Sequence, residues 1–338
     1  MFRELLYKIY QRKDLTEEEM SALLGEIFSG NTTDAQVGAF MGALATKGET
    51  YAELAGAARA MRKKAIRIEA MAQDVIDTCG TGGDISGTFN ISTVTAFVAA
   101  GCGAVVAKHG NRSISSQCGS ADVLEALGVN LDVDPEIVEE AIAEIGIGFL
   151  FAPKYHGAMR YAAKARKEVG LRSIFNMLGP LTNPAGTRRQ LVGVFAPELT
   201  EMFAQALKRL GAKRALVVHG HDGLDEISVC APTRICELCD GQITTYDLFP
   251  ESYFGRTAAA EEIGGGSPAE NAEITKRILS GHKGAGRDIV LINSAAALMA
   301  AGRAEGIEQG IEMAKQAIDS GAAMDKLTAL IEFTRENA

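Results

Sequence analysis

Between residues 16 and 61 the chain repeats one pattern three times: a threonine, then Glu or Gln three positions later, then an apolar stripe at helical spacing. Thr16–Glu19 precedes Met20, Leu23, Leu24, Ile27 and Phe28; Thr33–Gln36 precedes Val37, Phe40, Met41 and Leu44; Thr50–Glu53 precedes Leu54, Ala57, Ala58 and Met61. In each box the hydroxyl satisfies an orphan N–H and the acid or amide reaches back. The pattern predicts an all-helical piece over residues 1–69, with Ala- and Gly-rich faces that allow close helix packing. So small a helical piece exposes apolar surface, which points to a subunit contact.

From residue 74 short apolar runs alternate with helical ones. Strands are expected at Asp74–Asp77, Ala104–Lys108, Gly148–Phe151, Gln190–Phe195, Ala215–His219 and Asp288–Leu291. Helices are expected at Ser92–Ala100, Ala121–Leu127, Pro135–Ile145, Tyr155–Val169, Pro197–Leu210, Pro268–Leu279 and Ser294–Ala301. The stretch 222–262 reads as an antiparallel excursion with hairpins. Alternation of this kind predicts an α/β fold with a mostly parallel central sheet flanked by helices. Ligands bind such sheets at the carboxyl ends of the strands, so the loops after residues 77, 108 and 151 and the segment 219–226 are expected to share one cleft.

Those loops carry the chemistry. Gly80-Thr-Gly-Gly-Asp84 lets backbone approach a ligand without Cβ clash. It is neither a dinucleotide fingerprint nor a P-loop, because the spacing differs and no Gly-Lys-Ser/Thr follows; it reads as a plain turn cluster or as an anion loop. Thr88, Asn90, Ser92 and Thr93 gather where a helix begins, more short polar side chains than capping needs. Lys108-His-Gly-Asn-Arg-Ser-Ile-Ser-Ser116 follows a strand directly and combines cation, glycine and hydroxyls as a pyrophosphate cradle does; the competing reading is a solvated loop. Ser120 is a cap or a further phosphate donor. Asp225-Glu226 is either an acidic surface turn or a hard-metal site, with Mg2+ the natural ion beside a polyphosphate. Arg166 offers a fork for a carboxylate.

Composition narrows the field. The 338 residues allow about two domains, and 47 % hydrophobic with 23 % charged residues is ordinary for a globular chain. A net charge of −9 argues against nonspecific nucleic-acid binding. The six cysteines form no dense framework and read as free thiols of a reducing compartment; Cys236-Glu-Leu-Cys239 is a lone C-x-x-C with hairpin-like flanks. The N-terminus lacks the apolar core of a signal peptide, and the weakly polar run Phe97–Ala107 is too short to span a bilayer. The expected location is the cytoplasm.

Taken in order, these motifs resemble one family, the anthranilate phosphoribosyltransferases. The likeness covers nearly the whole chain: Gly80–Asp84, Asn90–Thr93, Lys108–Ser116, Gly119–Asp122, Tyr155-His156, Arg166, Gly170-Leu-Arg172, Phe175-Asn176, Gly179–Leu181, Asn183-Pro184, Gly223–Glu226 and Asn271-Ala272. Gly157 departs from the family's usual proline, and Ser173 from its threonine. The resemblance implies a small helical domain, residues 1–69 with a later segment near 166–183, a larger α/β catalytic domain over 70–338, and a homodimer through the helical part. It implies transfer of the 5-phosphoribosyl group from phosphoribosyl pyrophosphate (PRPP) to the amine of anthranilate, with Mg2+. The donor would be held by Gly80, Gly83, Asp84, Thr88, Asn90, Ile91, Ser92, Thr93, Lys108, His109, Gly110, Asn111, Arg112, Ser113, Ile114, Ser115, Ser116 and Ser120. Ser92, Asp225 and Glu226 would hold the metal; Gly80, Asn111 and Arg166 would meet anthranilate, with His156 in the same pocket. Lys108, Asn111 and Arg166 are the expected catalytic residues. Two rivals are a pyrimidine nucleoside phosphorylase, whose Lys-loop lacks the His-Gly-Asn-Arg run, and a non-enzymatic nucleic-acid-binding relative, which needs a broad basic surface.

Overall fold

The computed structural model describes residues 1–70, 74–82, 87–113 and 117–337. The three boxes form as the pattern dictates. The hydroxyls of Thr16, Thr33 and Thr50 accept from the N–H groups of Glu19 (3.2 Å), Gln36 (3.3 Å) and Glu53 (3.2 Å), whose side chains accept from the threonine N–H groups in return. They open α2 (Glu17–Phe28), α3 (Asp34–Lys47) and α4 (Tyr51–Lys64), behind α1 (Phe2–Tyr10). Gly56 of α4 rests on the Glu17 carbonyl, where a methyl would clash, so α2 and α4 pack backbone to backbone.

The chain then alternates through β1 (Ile76–Gly80), α5 (Ile91–Gly101), β2 (Val106–Gly110), α6 (Ser120–Leu127), α7 (Pro135–Glu144), β3 (Ile147–Phe151), α8 (Ala152–Tyr155), α9 (Arg160–Val169), α10 (Ile174–Met177), β4 (Arg189–Gly193), α11 (Leu199–Arg209) and β5 (Arg214–Gly220). It ends with β6 (Thr233–Cys239), β7 (Gln242–Leu248), α12 (Glu251–Phe254), α13 (Pro268–Leu279), α14 (Ala285–Ala300), α15 (Ile307–Asp319) and α16 (Ala322–Glu336). The sheet order is β3-β2-β1-β4-β5-β6-β7, parallel from β3 to β5 and antiparallel across β6 and β7. The expected small helical domain and larger α/β domain are both present.

Alternation along each strand divides the core. Leu191, Leu216 and Val218 share one core with α5 and α14, whereas Val192, Ala215 and Val217 face α11 and, through Phe203 and Leu207, the helical bundle. Both faces of the sheet are therefore covered, as a parallel sheet requires. Phe175 of α10 packs edge-on against Phe28 and Phe40, at 6.3 and 6.4 Å between ring centroids, so the segment after α9 shares the bundle's core.

Three expectations need correction. Asp288–Leu291 is not a strand: it lies in the 16-residue α14, which also contains most of the expected Ser294–Ala301 helix. A helix buried all round shows no amphipathic period, and Ile289-Val-Leu-Ile292 alone reads equally as a buried strand. The expected helix Tyr155–Val169 is broken: α8 stops at Tyr155, His156 takes φ −111° and ψ 48°, and α9 begins at Arg160. The 222–262 excursion narrows to the β6–β7 hairpin followed by short helical turns.

Candidate active site

Gly80 and Gly193 are register partners at the carboxyl ends of β1 and β4. Asp225 is pressed against both. A Cβ on Gly80 would collide with its carboxylate, and one on Gly193 with its backbone carbonyl. The Asp225 carboxylate accepts from the Gly82 N–H at 2.9 Å, and Glu226 Oε1 accepts from the Ser92 N–H in the first turn of α5 at 3.0 Å. At 8 % and 9 % exposure these acids are not a surface turn. Lys108, at the same strand ends, donates to Ser92 Oγ at 3.2 Å and to the Thr78 carbonyl. Burial pulls the Lys108 ammonium down from its ordinary pKa, against the pull of the Asp77 and Glu226 carboxylates. The structure thus brings Gly80, Ser92, Lys108, Asp225 and Glu226 into one cluster.

Beneath it lies a buried polar layer. Asp77, fully buried in β1, accepts from the His109 N–H (3.0 Å) and from Asn183 Nδ2 (2.8 Å), which also donates to the Ala107 carbonyl at 2.8 Å. Burial pushes the Asp77 carboxyl up, and Lys108 opposes it. The His109 and His156 rings meet at 3.2 Å between their Nε2 atoms, while His109 Nδ1 lies 3.2 Å from the Gly179 carbonyl. Burial lowers His109 to about 3 and His156 to about 4, so both imidazoles are neutral near pH 7. Sequence reasoning gave Asp77 and Gly193 no role, and Asn183 only a place among the motifs of the resemblance. An acid inside an apolar strand is the signal for the first, since a buried carboxylate needs partners; nothing local marks the other two.

The remaining expected residues are placed as follows. Ile91 and Thr93 are buried, each 1 % exposed. The first N–H groups of α5 are met by the Phe89 carbonyl, Glu226 and the Asn90 carbonyl. Asn90 spends its amide on the Cys118 carbonyl (3.0 Å) and on Asn271 (3.1 Å), and Thr88 bridges to Gly264. Arg112 is forked by Glu125 (2.8 and 3.1 Å) and held by Asp122 (3.0 Å), which raises its already high pKa. Asn111 Oδ1 accepts from the Arg112 N–H, and its carbonyl accepts from Ser120 Oγ, which packs on Gly110. The Ser113 N–H donates to Asp122. Arg166, half-buried on α9, has its guanidinium 5.6 Å from the Phe175 ring centroid and is not part of the Lys108 cluster's bonding. Gly83, Asp84, Ile114, Ser115 and Ser116 lie outside the described residues.

Among the described residues no three His, Cys, Asp or Glu side chains group as a metal cluster. His219 bonds the Val194 carbonyl and His221 pairs with Asp247, so neither forms a zinc site. Cys236 and Cys239 stand on β6 an odd number of residues apart, on opposite faces, ahead of a two-residue turn in which Asp240 and Gly241 both have positive φ. They cannot chelate one ion. Ser92, Asp225 and Glu226 do fit Mg2+: the donors are hard oxygens, few in number, as an ion completed by phosphate and water requires. Glu226 already accepts at the start of α5, so an anion bound beside it would need a divalent cation between the two.

Known proteins share the fold that carries this cluster. Residues 3–65 match the model of a glycosyl transferase family helical bundle domain, and residues 72–324 that family's a/b domain. The chain is 65 % identical, over the full length of both, to the anthranilate phosphoribosyltransferase of Syntrophobacter fumaroxidans. Its structure superposes on that of the Thermus thermophilus enzyme of the same name with a TM-score of 0.93, at 42 % identity over 98 % of this chain and 99 % of that one. It superposes on the Saccharomyces cerevisiae anthranilate phosphoribosyltransferase in complex with PRPP and Mg at 0.90, with 28 % identity over 99 % and 98 %. With strand ends, helix start and acidic pair in one arrangement, and identity this high from end to end, the chain belongs to the anthranilate phosphoribosyltransferase family.

Proposed function

We infer that this protein transfers the 5-phosphoribosyl group of PRPP to the amine of anthranilate, giving N-(5-phosphoribosyl)anthranilate and pyrophosphate in the tryptophan branch of amino-acid biosynthesis. The observation that carries the residue assignment is the convergence of buried Lys108, Asp225 and Glu226 with half-buried Ser92 at the carboxyl ends of β1 and β2. In this reading Lys108 and the Ser92 hydroxyl face the pyrophosphate, while Ser92, Asp225 and Glu226 hold Mg2+. Held by those three residues, Mg2+ would supply charge neutralisation for the leaving group.

The residues position more than they react. Arg166 takes the anthranilate carboxylate in a planar fork, and Gly80, Asn111 and the neutral His109–His156 pair wall the aromatic ring. The amine lone pair forms the N–C1 bond as the C1–O bond breaks with its electron pair leaving on pyrophosphate. Lys108 stabilises that charge. The extra amine proton departs to solvent after attack, so no general base is assigned. Holding amine and C1 in line supplies much of the acceleration.

The helical domain of this reading takes residues 1–69 together with the segment near 166–183, supported by the Phe28, Phe40 and Phe175 contacts. It forms the homodimer contact. Tyr7 and Tyr10 of α1, at 62 % and 58 % exposure, support that face. Nucleic acid is not a partner, in keeping with the net charge of −9. The protein works in the cytoplasm; no helix among the described residues is long and apolar enough to cross a membrane. The test is loss of anthranilate fluorescence with PRPP and Mg2+ each omitted in turn. Turnover requiring both is expected, and consumption of anthranilate without PRPP would refute the reading.

A further inference from the structure

We propose that Asn293 is a positioning residue for the metal-binding pair, its buried amide clamping the backbone immediately after Glu226. This rests on the reading of Asp225 and Glu226 as Mg2+ ligands. Asn293 lies on α14 and is fully buried. Its Oδ1 accepts from the Ile227 N–H at 2.9 Å, and its Nδ2 donates to the carbonyls of Ile227 and Ile289, each at 2.8 Å. Both amide donors are spent. One residue of a loop between β5 and β6 thereby receives the donor and acceptor that a neighbouring strand would give it.

The clamp completes a vice. On one side Asp225 is lodged against Gly80 and Gly193 and held by the Gly82 N–H. On the other, Asn293 fixes the next peptide but one. The helix that carries Asn293 also packs on α5, whose Ser92 N–H binds Glu226. A single rigid helix therefore sets where the acidic pair and the Ser92 hydroxyl lie relative to each other. Mg2+ tolerates little departure from octahedral geometry, and a ligand set must be held within about 0.5 Å to serve it. No other group described above grips the Ile227 peptide from the helical layer.

The test compares Asn293→Ala, Asn293→Asp and Asp225→Asn with the parent protein. Calorimetry measures PRPP binding across a MgCl2 titration; melting temperature and the anthranilate KM are read alongside. Asn293→Ala is expected to raise the Mg2+ concentration needed for PRPP binding by about tenfold or more, the size of effect usual for outer partners of metal ligands. Saturating Mg2+ should restore binding, and the anthranilate KM should not move. Asn293→Asp, protonated in so buried a position, keeps an acceptor for the Ile227 N–H and one of the two donors, so its shift should fall between; if the alanine variant does not fold, this one decides. A lowered melting temperature with an unchanged Mg2+ dependence, while Asp225→Asn shifts it, would reduce Asn293 to a core residue. An unshifted Asp225→Asn would instead overturn the metal assignment itself, and the proposal with it.

Discussion

Arg166 and His156 show how differently burial acts on single side chains. Arg166 keeps an aromatic neighbour and has no carboxylate partner among the described residues, so its fork is available to a substrate acid. Replacing it with alanine removes a charge-assisted contact worth roughly 1.5–3 kcal/mol. The expected result in steady-state kinetics is an anthranilate KM raised about tenfold or more, with the PRPP KM unchanged; an unaltered anthranilate KM would remove Arg166 from the acceptor pocket. His156 is held neutral instead, at about 4, beside His109 at about 3. Unfolded histidine takes up its proton near pH 6.5. Between that value and the folded ones the unfolded chain binds more protons, so acidification below pH 6.5 favours unfolding. His156→Gln should therefore melt with a shallower dependence on pH than the parent between pH 6.5 and 5, and equal slopes would mean that His156 is not buried neutral.

Helix starts were the most legible elements, because each capping box is a local bond between residues three apart. Their energies should still differ. Glu53 is fully buried and also binds the Leu15 N–H and Lys47, whereas among the described residues Gln36 bonds only within its own box. Thr50→Ala is expected to cost about 1–2 kcal/mol and Thr33→Ala about 0.5–1 kcal/mol in urea unfolding; the reverse order would show that the buried network does not depend on its cap. Strands were legible where an apolar run met a glycine loop or a cation, although β1 and β2 run on past the expected Asp77 and Lys108 to Gly80 and Gly110. Element type failed where burial erased periodicity: α14 packs on every side, so its Ile289–Ile292 run carried no sign of a helical face. α15 and α16 were not anticipated, although Ile307, Ile311, Ala314 and Ile318 keep helical spacing and are buried. The acidic pair was legible in sequence, but the glycines that lie against Asp225 and the asparagine bonded to Ile227 come from strands and a helix far along the chain. Such contacts leave no local pattern.

Taken together, the chain is a bundle and a sheet that share one apolar layer, with α1 turning two tyrosines outward. If that surface joins two copies, Tyr7→Glu combined with Tyr10→Glu should sediment as a monomer at concentrations where the parent is a dimer; a persisting dimer would place the contact elsewhere. The lodging of Asp225 has a consequence of another kind, in time. Gly80 and Gly193 stand far apart in sequence, because β1 pairs with β4 across a stretch of chain that contains β2, β3 and the helices between them. Non-local pairings close slowly compared with helices. On dilution from denaturant, ellipticity should return first and catalytic competence later, with a measurable lag between them. An enzyme caught in that interval would be nearly native in outline and still unable to grip its donor.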